Sequence, residues 1–264
     1  MFFNDPAPIK TIVIIFQGMT MRNPRIYQPG KINVNATLTL SDDAFGHVIR
    51  VLRLKSGDTI TLFNGEESCE YQAKLTSVTK KLAQVTIIAQ HESNKESPLN
   101  IHLGQGISRG DKMDFTLQKS VELGVNTITP LFTERCGVKL TLERLQKKRQ
   151  QWQKIVISAC EQSGRTSIPL VAEPMLLCDW LSQQTSALKI NLHPKAQHSI
   201  MTIPIENRRV RLLIGPEGGL SDEEICQAKE HNFQDVLLGP RVLRTETAAL
   251  TAITALQCRF GDLH

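Results

Sequence analysis

The stretch Leu212–Glu224, LLIGPEGGLSDEE, carries three structural signals in a row. Three consecutive aliphatic residues read as the end of a strand buried on both faces. Gly215 and Pro216 then stop the pairing and turn the chain. Ser221 with Glu224 three residues on forms a capping box, so a helix starts there. Strand, glycine turn and helix in this order put the loop at the carboxyl end of a parallel strand, where open α/β sheets bind their ligands.

The same grammar extends on either side. After QDVLLG, a strand, comes a second loop, LGPRVLRTETAAL at residues 238–250, in which Gly239 and Pro240 turn the chain and Arg244 and Thr245 stand at the mouth of the last helix, about Thr245 to Phe260. Before the opening stretch, the strand ALKINLH ends in a third loop, NLHPK, residues 191–195. Further upstream, NIHLGQG and NTITPLF read as strands, DKMDFTLQKSVELG and LERLQKKRQQWQKIVISACEQSG as helices, with a short strand near Ile168 and a helix near Cys178. Strands alternating with helices predict a mostly parallel sheet covered on both faces.

Before residue 91 the rhythm differs. KINVNATLTL, DTITLFNG, YQAKLTSVT and LAQVTIIAQ are short runs of β-formers, and Asn64-Gly65 suits a tight hairpin. One helix interrupts them, DDAFGHVIRVLRL, with Phe45, Val48, Ile49 and Leu52 at helical spacing. A small β-barrel with one helix is expected over residues 21–92. The polar run HESNKESP leads into a linker at 93–98, and the α/β domain occupies 99–264. Residues 1–20 read as an extended or misassigned start; IVIIF at 12–16 is too short to span a membrane.

The net charge of +5 suits a polyanionic partner without demanding one. Six scattered cysteines without a CxxC pair read as reduced thiols of a cytoplasmic protein, with no zinc site and no metal. The loop chemistry disfavours nucleotide phosphate. A P-loop needs Lys and Ser or Thr after its glycines and a dinucleotide loop needs GxGxxG, whereas Glu217 would repel an anion from the amides of GPEGG. Loops lined by small and apolar residues suit a flat base, a ribose and a positive centre instead. A solvated glutamate in a plain turn remains the alternative for that residue alone.

The pair IGPEGGLSDEE and LGPRVLRTETA closely resembles the C-terminal signature of the RsmE family, SPOUT-class methyltransferases of bacterial small-subunit rRNA. MRNPRIY, HVIRVLRLKSGDTITLFNG, GDKMDFTLQKSVELGVNTITPL and WQKIVISACEQSGRTSIP extend the resemblance from Met21 to Arg259. It implies a SPOUT α/β fold with a C-terminal trefoil knot, preceded by a PUA-like or OB-like barrel, in a homodimer. The implied activity is S-adenosylmethionine-dependent methylation at N3 of one uridine of 16S rRNA (1498 in the usual rRNA numbering), in the small ribosomal subunit.

By that resemblance, Leu192, His193, Ile214, Gly215, Glu217, Gly218, Leu238, Gly239 and Leu243 line the cofactor pocket, with Leu243 packed on the base. Arg244 is the candidate to stabilise a uracil anion, or else it braces the loop through Glu217 or Glu246. Glu161, Gln162 and Arg165 either shape the catalytic cleft or pack the dimer, and His193 reads as a general base or a plain loop residue. RNA contacts fall to Arg22, Arg25, Arg50, Arg53 and Lys55, with Arg109, Lys112 and Lys119, while the KKR run at 147–149 reads as a solvated face. Small side chains on the last helix, Ala248, Ala249, Ala252 and Ala255, suit tight packing in a core or a dimer. Two rivals remain: an RNA-binding ribosome factor without a cofactor site, and a nucleotide-dependent oxidoreductase or kinase, which would need phosphate-binding residues these loops lack.

Overall fold

Two sheets organise the chain in the computed structural model, which describes residues 23–137 and 142–264. Arg22 and the N-terminal extension lie outside the described residues. The first sheet holds β1 (Arg25–Tyr27), β2 (Thr37–Thr39), β3 (Thr59–Phe63), β4 (Cys69–Val78) and β5 (Ala83–Glu92) in the order β1-β3-β4-β5-β2. Alternation along β4 and β5 buries Tyr71, Ala73 and Leu75 against Ala83, Val85 and Ile87. No ladder joins β1 to β2 among the described residues.

Two local expectations change. The segment expected as one helix is a single turn, α1 (Asp42–Phe45), capped by Ser41, that continues into a π-helical turn over Gly46–Val51. Leu52 N reaches back five residues to His47 O, which shifts the helical phase and leaves Leu52 36% exposed. Asn64-Gly65 does not form a two-residue hairpin turn. Asn64 Oδ1 accepts from the amides of Glu66 and Glu67 in a longer connection, and Gly65, at φ 81°, bridges to Ser167 beyond the sheet.

The second sheet is wholly parallel. It contains β6 (Asn100–Gly106), β7 (Thr127–Phe132), β8 (Leu170–Val171), β9 (Met175–Leu176), β10 (Leu188–Leu192), β11 (His198–Ser199), β12 (Arg209–Ile214) and β13 (Gln234–Leu237). Their order is β11-β13-β10-β12-β6-β7-β8, with β9 also on β7. The helices are α2 (Asp111–Glu122), α3 (Leu142–Ser163), α4 (Leu177–Ser182), α5 (Asp222–Glu230) and α6 (Thr245–Phe260). Strand alternation distributes them over both faces: Val210, Leu212 and Ile214 of β12 join a core with Met113, Trp152 and Ile253 from α2, α3 and α6. Leu213, between them, packs instead with Trp180 of α4 and Ala228 of α5. The small residues Ala249 and Ala252 of α6 are buried in the first of these cores, with Ala248 and Ala255 at its edge.

The two sheets meet at the carboxyl end of α3. Helix ends leave carbonyl groups without partners, and here Arg25, from β1, supplies them. Its guanidinium donates to Cys160 O (2.6 Å), Glu161 O (3.0 Å) and Arg165 O (3.1 Å), pairs with Glu70 at 2.8 Å, and lies 4.6 Å from the Phe63 ring centre. Arg165 is 4% exposed; it pairs with Glu96 and donates to Val121 O and Val125 O. The KKR run is only partly a solvated face. Lys147 pairs with Glu143 on the surface, but Lys148 reaches Asp114 and Arg149 donates to Val171 O, tying α3 to its neighbours.

Candidate active site

The carboxyl ends of β10, β12 and β13 are adjacent in the sheet, and the loops that follow them surround a cavity of about 590 Å3. Leu192, His193, Ile214, Gly215, Glu217, Gly218, Leu238, Gly239 and Leu243 all line it, together with Arg244. Asn191, Arg135, Arg241 and Thr245 also line it and were not among the expected residues. Asn191 was detectable as the one uncharged polar residue inside the strand LKINL. Arg135 arrives from the loop after β7, a long-range placement with no local signal.

Several contacts fix the shape of these loops. Thr245 Oγ1 donates to Gly215 O at 2.6 Å and accepts from Gln105 Nε2 at 3.0 Å, joining β6, the GPEGG loop and α6 in one buried chain. A Cβ on Gly106 would stand 2.5 Å from Pro216 N, so only glycine lets the end of β6 approach the turn this closely. The capping box at Ser221 is formed on both sides, and Glu224 also accepts from Glu134 N at 2.7 Å. Arg135 Nη1 donates to Gly218 O (3.1 Å) and Leu220 O (3.2 Å). Gly239 adopts φ 101°, which favours glycine at the second turn.

Glu217 has a different partner from the one expected. It does not brace Arg244; its Oε1 accepts from Arg109 N at 3.0 Å and stands 3.5 Å from Lys112 Nζ, clasping the amino end of α2. Burial pushes the carboxyl pKa up, but its own backbone amide, that of Arg109 and the Lys112 ammonium outweigh this and hold it below the ordinary value. His193 Nδ1 lies 4.0 Å from Asp235 Oδ2, and Asp235 also receives Asn191 Nδ2 at 2.8 Å and Lys229 Nζ at 3.0 Å.

Glu161 and Arg165 do not reach this cavity. Arg165, expected as a catalytic candidate, is buried at the seam, where Glu96, Val121 O and Val125 O engage its donors. Glu161 Oε1 accepts from Tyr27 N at 3.0 Å, and Oε2 stands 3.5 Å from His47 Nδ1; desolvation raises its pKa against those contacts and Arg25. It lines a second cavity of about 530 Å3 between α1 and α3, with Asp42, Asp43 and Lys154. Arg25, expected as an RNA contact, gives its donors to Cys160 O, Glu161 O, Arg165 O and Glu70. Arg50, Arg53 and Lys55 are exposed on the first sheet's unit, Arg109 is exposed beside Glu217, and Lys119 pairs with Glu122 at 2.7 Å.

Residues 95–257 match the family model of an RNA methyltransferase domain, and residues 40–88 match that of an RNA methyltransferase PUA domain. Over 246 residues the chain is 42% identical to the ribosomal RNA small subunit methyltransferase E of Buchnera aphidicola subsp. Schizaphis graminum, covering 93% of this chain and 100% of the relative. The chain belongs to the ribosomal RNA small subunit methyltransferase E family. The family member of Bacillus subtilis is 30% identical, over 83% of this chain and 89% of its own length. Among solved structures, a protein of Legionella pneumophila in complex with the cofactor SAM matches at 48% identity and TM-score 0.89, covering 92% of this chain and all of its own. The methyltransferase E of Neisseria gonorrhoeae bound to S-adenosyl methionine matches at 42% and 0.85, over 92% and 100% of the two chains. The fold is thus an α/β methyltransferase domain preceded by a PUA-like domain.

Proposed function

We propose that this chain transfers the methyl group of S-adenosylmethionine to N3 of one uridine of 16S rRNA, position 1498 in the usual rRNA numbering, within the small ribosomal subunit. The cavity carries this reading. It is walled by Leu192, Ile214, Val236, Leu238 and Leu243, which suit an adenine ring, and it offers no lysine-and-serine phosphate loop. Asn191, buried on its wall, keeps Oδ1 without a hydrogen-bond partner among the described residues, an acceptor suited to an amino or hydroxyl donor of the cofactor.

S-adenosylmethionine supplies a methyl group already activated on a sulfonium, so the chain's task is placement and charge stabilisation. The apolar wall excludes water, the peptide groups of Gly215 and Leu238 take the base or ribose, and Leu243 packs on the base. Gly218 leaves room for the Arg135 side chain, Gly239 allows the positive φ of the second turn, and Glu217 holds the first loop to α2. Arg244, exposed at the amino end of α6, stabilises the negative charge that uracil gains as N3 loses its proton. His193, near Asp235, is positioned to accept that proton. Glu161 and Arg165 have no part in this chemistry.

The same reading includes a homodimer whose C-terminal loops form a SPOUT trefoil knot, acting in the cytoplasm. Residues 21–92 form the RNA-holding domain, with Arg50, Arg53 and Lys55 as phosphate contacts, 93–98 the linker and 99–264 the catalytic domain. The test is incubation with methyl-labelled cofactor and small subunits from a strain lacking the modification, followed by mapping of the labelled nucleotide. Label at N3 of that uridine is expected; absence of label from 16S rRNA overturns the proposal.

A further inference from the structure

The two cavities are of similar size and opposite charge. Lys154 faces Asp42, Asp43 and Glu161 at the seam, with His47 the remaining titratable group there. Lys112, Arg135, Arg241 and Arg244 line the loop cavity against Glu217 and Asp222, with His193 beside them. Lys112 is matched by Glu217 at 3.5 Å, which leaves three arginines against Asp222. Arg241 and Arg244 are exposed, and their side chains make no hydrogen bond or ion pair among the described residues. Arg135 spends Nη1 on two loop carbonyls.

This surplus does not answer to the cofactor. S-adenosylmethionine has a sulfonium and an ammonium against one carboxylate, so it is a net cation, and a positive rim disfavours it. Unpaired arginines at the lip of a site for a cation call for a second ligand that is an anion. We infer that Arg135 and Arg241 form a phosphate-docking collar at the mouth of the loop cavity, gripping the RNA backbone beside the target nucleotide. The inference rests on the methyltransferase reading and goes beyond it by assigning a backbone grip to two arginines at the cavity mouth. Arginine suits this role because its fork matches phosphate oxygens, and such contacts set position without reading sequence. The acidic opening at the seam repels the same strand.

The experiment uses the full chain and measures binding to intact small subunits across a salt series, cofactor binding by calorimetry and oligomeric state by light scattering. Arg241→Glu is expected to weaken subunit binding by roughly tenfold at low salt and to lower the slope of log affinity against log salt by about one. Arg135→Gln lowers the slope by a similar amount. Cofactor affinity is kept or raised in Arg241→Glu, because a less positive rim favours a net cation, and Lys154→Glu at the seam produces no loss of subunit binding. An unchanged slope for Arg241→Glu overturns the collar, as does a loss restricted to a change in oligomeric state, which would make a second copy of the chain the partner of this surface. Failure of the wild-type protein to bind S-adenosylmethionine would instead strike the methyltransferase reading, whatever the variants do.

Discussion

Arginines at the seam and arginines at the cavity mouth have the same chemistry and opposite circumstances. Arg25 and Arg165 are enclosed, and their donors meet the carbonyls at the ends of α2 and α3 and the carboxylates of Glu70 and Glu96. Arg241 and Arg244 protrude from a loop whose neighbouring carbonyl, Gly215 O, is already taken by Thr245. A guanidinium that has satisfied its donors is part of the scaffold. One that has not is available to a ligand. The difference lies in which carbonyls the fold leaves open, and it separates the arginines that hold the domains together from those left free at the cavity mouth.

The largest test of this contrast is Arg165→Ala. It removes the guanidinium from Glu96 and Val125 O in a largely enclosed site and is expected to cost about 3–5 kcal/mol of stability, read from chemical denaturation, whereas Arg241→Ala changes stability by less than about 0.5 kcal/mol. Equal losses would erase the distinction. Gly106→Ala forces a methyl group against the Pro216 backbone; overpacking of this kind costs about 1–3 kcal/mol, and calorimetry should show weaker cofactor binding because the GPEGG loop is displaced. Thr245→Val removes the hydroxyl between Gln105 and Gly215, with an expected cost of about 1–2 kcal/mol and a raised KM for the cofactor.

The smallest effects come from two carboxylates with opposite signs. Glu161, at the seam, has a raised pKa, so its folded form holds the proton better than the unfolded chain does. Its contribution is complete below the ordinary value of 4.5 and is lost as pH rises through the folded pKa. Glu217, at the cavity, has a lowered pKa; its contribution is present above 4.5 and is lost as pH falls through the folded value. Glu161→Gln should flatten the decline on the high side of that window, and Glu217→Gln the decline on the low side. Because Glu217 is partly exposed, its effect stays below about 1 kcal/mol. Stability measured against pH for both variants checks the signs, and identical profiles would refute the assignment.

Much of the catalytic domain was legible because its signals are local. The run LLIG, the capping box at Ser221 and Glu224 and the alternation of strand and helix each depend on residues within one or two turns of one another, and the structure forms them at those positions. That the three loops meet is decided by the strand order β13-β10-β12, which sets the earliest of these strands between the other two. The π-helical turn was not legible, because its widened ladder depends on how Phe45 and Val48 seat in the core and leaves the sequence spacing unchanged. The Asn64-Gly65 dipeptide was misread for a similar reason: Gly65 is occupied by a bridge to Ser167, about a hundred residues away.

The partners of charged side chains were the least legible feature. Nothing near Arg25 in the sequence indicates that it meets the end of α3, and nothing near Glu217 points to Arg109 and Lys112. A charge in a sequence can equally be solvated, paired or offered to a ligand, and the choice depends on which groups are brought within about 3–4 Å. Most strands and helices, the glycine turns at Gly215 and Gly239 and the family can be read from the sequence alone, since backbone conformation and apolar periodicity are short-range properties. Which arginines are scaffold and which stand free at the cavity is settled on folding, because desolvation and ion pairing arise between segments that meet nowhere but in the folded chain.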